Sequence, residues 1–316
     1  MVLSFFKTLL FDWVTAFRDL KARFKDVKTI WKRRKHHGKV PTPERCVPLD
    51  NPAFVRPDPM IYDQYFLISL GLDVTWDNPD IQLFLNGAPV SSSDLLAGTT
   101  YDVVAQIWNN STDAPVVGLP VAFSFLDFGV GTVSVPIGST TVDLGVKGGP
   151  NCPAFAHMSW TTPTTPGHYC VQVLLQPADD SNAQNNLGQE NTNVGVAHSP
   201  AVFTWTLRNV TDAKQTYRFE TDAYVLGTPD QCDANSGSDA ARRARLARHR
   251  RGTHPVPAGW TVTVNPATPT LDPGQEIAIT VSATPPPGFT GEQPLNVNAF
   301  HSKGLAGGVT LTVRHA

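Results

Sequence analysis

Tyr101-Asp102-Val103-Val104-Ala105-Gln106-Ile107 is the stretch on which the fold turns. Its odd positions are all apolar while Asp102 and Gln106 fall between them, a period of two that gives a β-strand one buried face. Working outward, short β-favouring runs separated by turn signals are expected at 81–85, 101–109, 121–126, 132–136, 140–144, 155–160, 168–175 and 193–197, the spacing of a β-sandwich. Across 161–167 the pattern predicts a hairpin in which Ala154, Ala156, Met158 and Trp160 share a face with Tyr169, Val171, Val173 and Leu175. Residues 199–316 repeat the architecture, with strands expected at 201–209, 217–225, 260–265, 276–284, 295–301 and 309–314. Trp160 and Trp260 are expected in the two cores. The 27 prolines and 24 glycines among 316 residues suit such a turn-rich chain and argue against a helical bundle or coiled coil.

A different period governs the first 35 residues. Phe6, Leu9, Leu10, Trp13, Phe17, Leu20, Phe24, Val27 and Trp31 recur at steps of three and four, which places them on one stripe of an amphipathic helix over 1–38. Lys32-Arg33-Arg34-Lys35 suits the negative end of that helix, and Gly38, Pro41 and Pro43 stop it. Residues 39–79 follow as a proline-rich connector and an apolar neck, MIYDQYFLISLGLDVTW at 60–76, expected to be helical up to Gly71 and to pack on the first sandwich. A polar insertion at 227–257, containing the ARRARLARHRRG run, lacks the apolar residues that offset ordering entropy and is expected to be a mobile loop.

Charge is unevenly spread. Residues 1–40 hold eleven Lys/Arg against Asp12, Asp19 and Asp26, a net of +8, and six arginines lie in 242–251, although the whole chain carries only −2. The folded part is therefore acidic, which argues against nucleic-acid binding by it. Cys46, Cys152, Cys170 and Cys232 form no C-x-x-C pair. No secretory signal is seen, since Lys7, Asp12, Arg18 and Asp19 interrupt the apolar residues, and no run of 18 apolar residues could span a membrane. A cytoplasmic location is expected, with peripheral membrane contact as an option.

The sequence contains none of the phosphate-loop, dinucleotide, zincin or nucleophile-elbow motifs, so no catalytic residue and no cofactor is expected. Two polar groups offer metal ligands. In the predicted hairpin, His157, His168 and Cys170 would share an outer face within cross-strand reach, with Cys152 as a fourth donor for zinc or copper. Asp179, Asp180, Asn182, Asn185 and Asn186 either bind calcium or cap the turn through side chain to backbone bonds. The arginines 242, 243, 245, 248, 250 and 251 either clamp phosphates or are solvated. The strongest functional signal is the stripe itself. Phe6, Leu10, Trp13, Phe17, Leu20, Phe24 and Trp31, with Lys32, Arg33, Arg34 and Lys35, form a surface for an anionic membrane, a protein partner or a homo-oligomer contact.

Two stretches resemble known families. NPDIQLFLNG, LLAGTTYDVVAQIWNNSTDAPVVGLPVAFSF and PGHYCVQVLLQPADDSNAQNNLGQENTNV resemble the cell-adhesion-related domain of bacteria, an immunoglobulin-like sandwich. VPAGWTVTVNPATPTLDPGQEIAITVSATPPPGFTGEQPLNVNAF resembles the sandwich modules appended to bacterial glycosidases. Both resemblances imply a binding or spacing role and supply no catalytic residues. The expectation is an all-β protein of two tandem immunoglobulin-like β-sandwiches, at 80–198 and 199–316, preceded by a long N-terminal amphipathic α-helix. Its expected function is non-catalytic binding or scaffolding, tethered by that helix. The alternative is an accessory carbohydrate-binding or spacer module serving a separate enzyme.

Overall fold

The computed structural model describes residues 56–127, 129–194, 202–226, 244 and 246–314. The helix expected over 1–38, with Phe6, Leu10, Trp13, Phe17, Leu20, Phe24, Trp31 and the Lys32 to Lys35 cluster, lies outside the described residues.

The alternation at 101–107 is realised in β4 (Thr100–Asn109), where Tyr101, Val103, Ala105 and Ile107 are buried in the first core. Before it run β1 (Pro59–Met60), the short helix α1 (Gln64–Ser69), β2 (Ile81–Leu85) and β3 (Ala88–Val90). After it come β5 (Val116–Asp127), β6 (Gly129–Val130), β7 (Ser134–Leu144), β8 (Ala154–Thr161), β9 (Gly167–Leu175) and β10 (Leu187–Val194). One sheet has the order β3-β2-β4-β8, with β1 pairing the far end of β4; the other has β10-β9-β5-β7. A five-stranded sheet facing a four-stranded one, with the chain crossing between them, is an immunoglobulin-like sandwich arrangement. Tyr169 at the start of β9 donates its hydroxyl to the Thr165 carbonyl at 2.8 Å, the tyrosine corner of such folds.

The hairpin expected between β8 and β9 is not formed. β8 pairs with β4 from Thr100↔Thr161 to Ile107↔Ala154, whereas β9 lies between β5 and β10 in the opposite sheet. The two apolar sets identified in the sequence therefore face each other across the core instead of lying side by side. Period-two patterning fixes which side of a strand is buried and leaves its neighbour open.

The second sandwich uses β11 (Val202–Arg208), β12 (Gln215–Thr216), β13 (Arg218–Asp222), β14 (Thr261–Asn265), β15 (Thr270–Leu271), β16 (Glu276–Thr284), β17 (Glu292–His301) and β18 (Gly304–Arg314). Its sheets are β14-β16-β11-β6 and β13-β17-β18, with a short β12-β15 ladder. Phe203, Trp205, Leu207, Ile279 and Val281 meet Leu295, Val297, Val309 and Leu311 between them. β6 belongs in sequence to the first sandwich, yet it pairs in parallel with β11 through Thr206↔Gly129 and Leu207↔Val130, and Val130 is buried in the second core. Trp160 is buried as expected, at 2% exposure. Trp260 is only half-buried, because β14 begins one residue later and the indole stands edge-on to Phe289 at 4.8 Å.

Candidate functional site

The neck, residues 56–80, is where both sandwiches and a cleft converge. Asp63 caps α1 by accepting from the Phe66 N–H at 3.0 Å, and its second oxygen accepts from the Leu187 N–H at 2.9 Å. The buried Gln64 amide donates to the Gln189 carbonyl at 2.7 Å, the Trp76 carbonyl accepts from the Asn191 N–H at 2.9 Å, and the Asn78 N–H donates to the Glu190 carboxylate. These bonds satisfy the free edge of β10 without a neighbouring strand, one way a sheet edge is covered.

The other side of the same segment holds the second sandwich. Trp76 donates its N–H to Thr310 Oγ1 at 2.7 Å and its indole N–H to Asn298 Oδ1 at 3.0 Å. Asn298 and Asn296 in turn donate to the two oxygens of Asp222, at 3.1 and 2.6 Å. Gly308 makes this contact possible: a Cβ there would run into the indole nitrogen. Ile68 and Val74 bury themselves against Phe300. The neck thus packs on both sandwiches, where the sequence pointed to the first alone.

The described end of the polar insertion is also fixed to the neck, which corrects the expectation of a mobile loop for these residues. The Asp73 N–H donates to the His249 carbonyl at 2.8 Å, and His254 Nδ1 lies 2.7 Å from the Asp73 carboxylate. Arg251 stacks over the Phe300 ring at 4.2 Å and pairs with Glu220. Guanidinium stacking supplies the burial that the apolar count missed. Arg242, Arg243 and Arg245 lie outside the described residues.

Burial governs the electrostatics of this region. It pushes Asp63 and Asp222 up to about 6 and raises Asp80, while Glu190 is raised well above the usual carboxylate range, with Asp77 adding to the effect of burial.

The expected metal ligands do not converge. His157 is on the outer face of β8, bonded to Asp102 at 2.9 Å; His168 and Cys170 are on β9, in the opposite sheet. Burial raises the Cys170 thiol, with Glu190 contributing, and burial lowers His168, which stands edge-on to Phe203 at 6.2 Å. Among the described residues no three His, Cys, Asp or Glu side chains are grouped to hold a metal. In the 179–186 loop the side chains cap turns: Asp180 accepts from the Asn182 N–H at 2.9 Å and from the Asn186 amide at 2.7 Å, and Asn185 donates to Asp58 at 2.9 Å. Arg56 supplies the positive charge there, 2.6 Å from Asp179.

On the first-sandwich side the neck leaves a cleft of about 460 Å³, walled by Met60, Ile61, Phe66, Leu67 and Trp108, with Lys147 among the residues that line it. β1 brings Met60 opposite Trp108, and the Trp108 indole donates to Asp80 at 2.9 Å. Lys147 donates to Asn110 Oδ1 at 2.7 Å. No sequence motif marks the cleft, because its walls come from the neck, the end of β4 and the loop before β8.

No protein-family model and no curated protein matches the sequence. Among solved structures the chain is similar to the adhesin InvE of Yersinia pseudotuberculosis, at 15% identity over 70% of this chain and 56% of that one, with a TM-score of 0.19. It therefore spans just over half of that protein's length. The D0-D1 domain of intimin is similar at 13% identity over 71% of this chain and 95% of that one, TM-score 0.22. A Salmonella alpha-2-macroglobulin mutant is similar at 12% identity over 75% of this chain and 16% of that one, TM-score 0.20. At these scores the likenesses carry no argument, and the description of two β-sandwiches rests on the strand pairing itself.

Proposed function

We propose that the protein is a non-catalytic binding or scaffold protein in which two β-sandwiches act as one rigid body, tethered through the apolar and basic stripe of residues 1–38 to an anionic membrane or a protein assembly. The observation that supports the scaffold reading is the neck, whose two sides are hydrogen-bonded to different sandwiches, so that a load on one is passed to the other. The tether reading rests on the stripe in the sequence. Sedimentation with anionic vesicles, and size-exclusion of the free protein, each at low and high salt, test it. Replacing Phe17 and Leu20 with Asp is expected to abolish association, since unpaired charge in an apolar contact is costly. A double variant that behaves like the parent in both assays overturns the tether.

A second reading, a carbohydrate-binding accessory module, is favoured by Trp108 and Phe155, which are 37% and 52% exposed on the outer face of the β4 and β8 pair. Retention on an insoluble polysaccharide that Phe155→Ala removes would support it.

A further inference from the structure

We propose that the cleft beside the neck binds a small amphipathic anion: an apolar body of aromatic-ring size carrying one carboxylate. The inference goes beyond the scaffold reading and does not depend on residues 1–38.

Size and walls come first. A volume of about 460 Å³ falls within the ~300–1,000 Å³ of small-ligand sites, and Met60, Ile61, Phe66 and Leu67 offer only apolar surface. Trp108 adds a flat aromatic wall whose orientation is set by its bond to Asp80, so the site is formed before a ligand arrives.

Charge then selects the ligand's polar end. Asp63 and Asp80 also line the cleft, and each of their oxygens already accepts an N–H, Asp63 from Phe66 and Leu187, Asp80 from Tyr62 and the Trp108 indole, which offsets part of the negative charge an anion meets there. Lys147 is the lining cation, it is exposed, and no carboxylate pairs with it among the described residues. An anion that reaches Lys147 while its apolar body lies against Trp108 complements both features.

The test uses the full chain and two ligands of one shape, 1-naphthaleneacetate and its uncharged amide, measured by isothermal titration calorimetry. The carboxylate is expected to bind at one site, about twofold to fivefold tighter than the amide, the range of an exposed ion pair. Lys147→Met, a change at an exposed side chain, is expected to make the two affinities equal. Trp108→Ala is expected to weaken both ligands, and Trp108→Phe, which keeps an aromatic wall, to recover most of that loss. Equal binding of the two ligands by the parent overturns the proposal. So does an unchanged ratio in Lys147→Met, or the lack of a saturable heat for either ligand up to millimolar concentration. None of these results bears on vesicle or partner capture by residues 1–38, so the two proposals fail separately.

Discussion

Asn209 and Asn109 hold equivalent corners of the two sandwiches. At the end of β11 the Asn209 amide donates to the Ala213 and Leu271 carbonyls, at 2.8 and 3.0 Å, while its oxygen accepts from the Thr211 N–H and the Tyr217 hydroxyl. At the end of β4 the Asn109 amide donates to the Ala114 and Gly145 carbonyls, and its oxygen accepts from the Ser111 N–H. Both are almost fully buried, so truncation orphans several backbone groups at once. Asn209→Ala is expected to cost about 1–3 kcal/mol in urea denaturation, the scale of a buried group left unpaired; a loss within ~0.5 kcal/mol would show that water replaces the amide. The sequence did hold a signal for this pair: an Asn two residues before Ser111 or Thr211, with Asp-Ala following. One inserted residue between the two strings hides their correspondence in a position-by-position comparison. Glu190 makes the opposite kind of prediction. Its folded-state pKa is raised by burial, so its contribution to stability is present below the ordinary carboxylate value and is lost as pH rises through the raised value. Glu190→Gln can still accept from Asn78 and carries no charge. Melting temperatures of variant and parent are expected to coincide near pH 4 and to separate in the variant's favour toward pH 8; a constant offset across that range would contradict the burial argument.

At the scale of elements, the parts that were legible are those with a local period. β4, β8, β9, β11 and β16 fall where alternation placed them, and Trp160 is buried where its strand face predicted. What alternation cannot encode is partnership between distant segments. β6 is two residues long, and nothing in Gly129-Val130-Gly131 announces that it will join the sheet of another sandwich. The neck's role was equally hidden, since it covers β10 and β18 with side chains of mixed polarity instead of a strand. The cleft inherits that opacity because the neck forms one of its walls. Gly129 gives a direct measure of the β6 contact. A Cβ there would collide with the Thr206 carbonyl of β11, while a Cβ on Gly118 meets open space, although both backbones have positive φ. Gly118→Ala is expected to cost about 1–2 kcal/mol from backbone strain alone. Gly129→Ala is expected to cost clearly more and to make the 127–134 segment sensitive to limited proteolysis, and equal losses would show that β6 contributes little to holding β11's edge.

For the whole molecule, the question is whether two sandwiches unfold as two bodies or as one. Tandem domains joined by a plain linker would melt independently. Here the described core residues run from Ile61 to Val313, and the neck contributes Ile61 to the first core and Ile68, Val74 and Trp76 to surfaces of the second. Each buried side chain of this kind is worth roughly 1.5–3 kcal/mol of transfer free energy, so the four together offer on the order of 10 kcal/mol gross, an upper bound. A single domain has a net stability of only about 5–15 kcal/mol, so losing even a fraction of that gross figure with the neck would leave either sandwich marginal. β6 adds a second connection, since removing the first sandwich strips the β11 edge and takes Val130 out of the second core. Calorimetry is therefore expected to show one cooperative transition for the full chain, with the ratio of calorimetric to van't Hoff enthalpy near one. A chain of residues 52–316 should melt at the same temperature, because every strand named above lies within residues 59–314. A chain starting at residue 202 keeps nearly every strand of the second sandwich but lacks both neck and β6, and it is expected to be unfolded or insoluble. If that fragment instead melts cooperatively near the temperature of the full chain, the sandwiches are separable modules and the neck is a covering rather than a shared core.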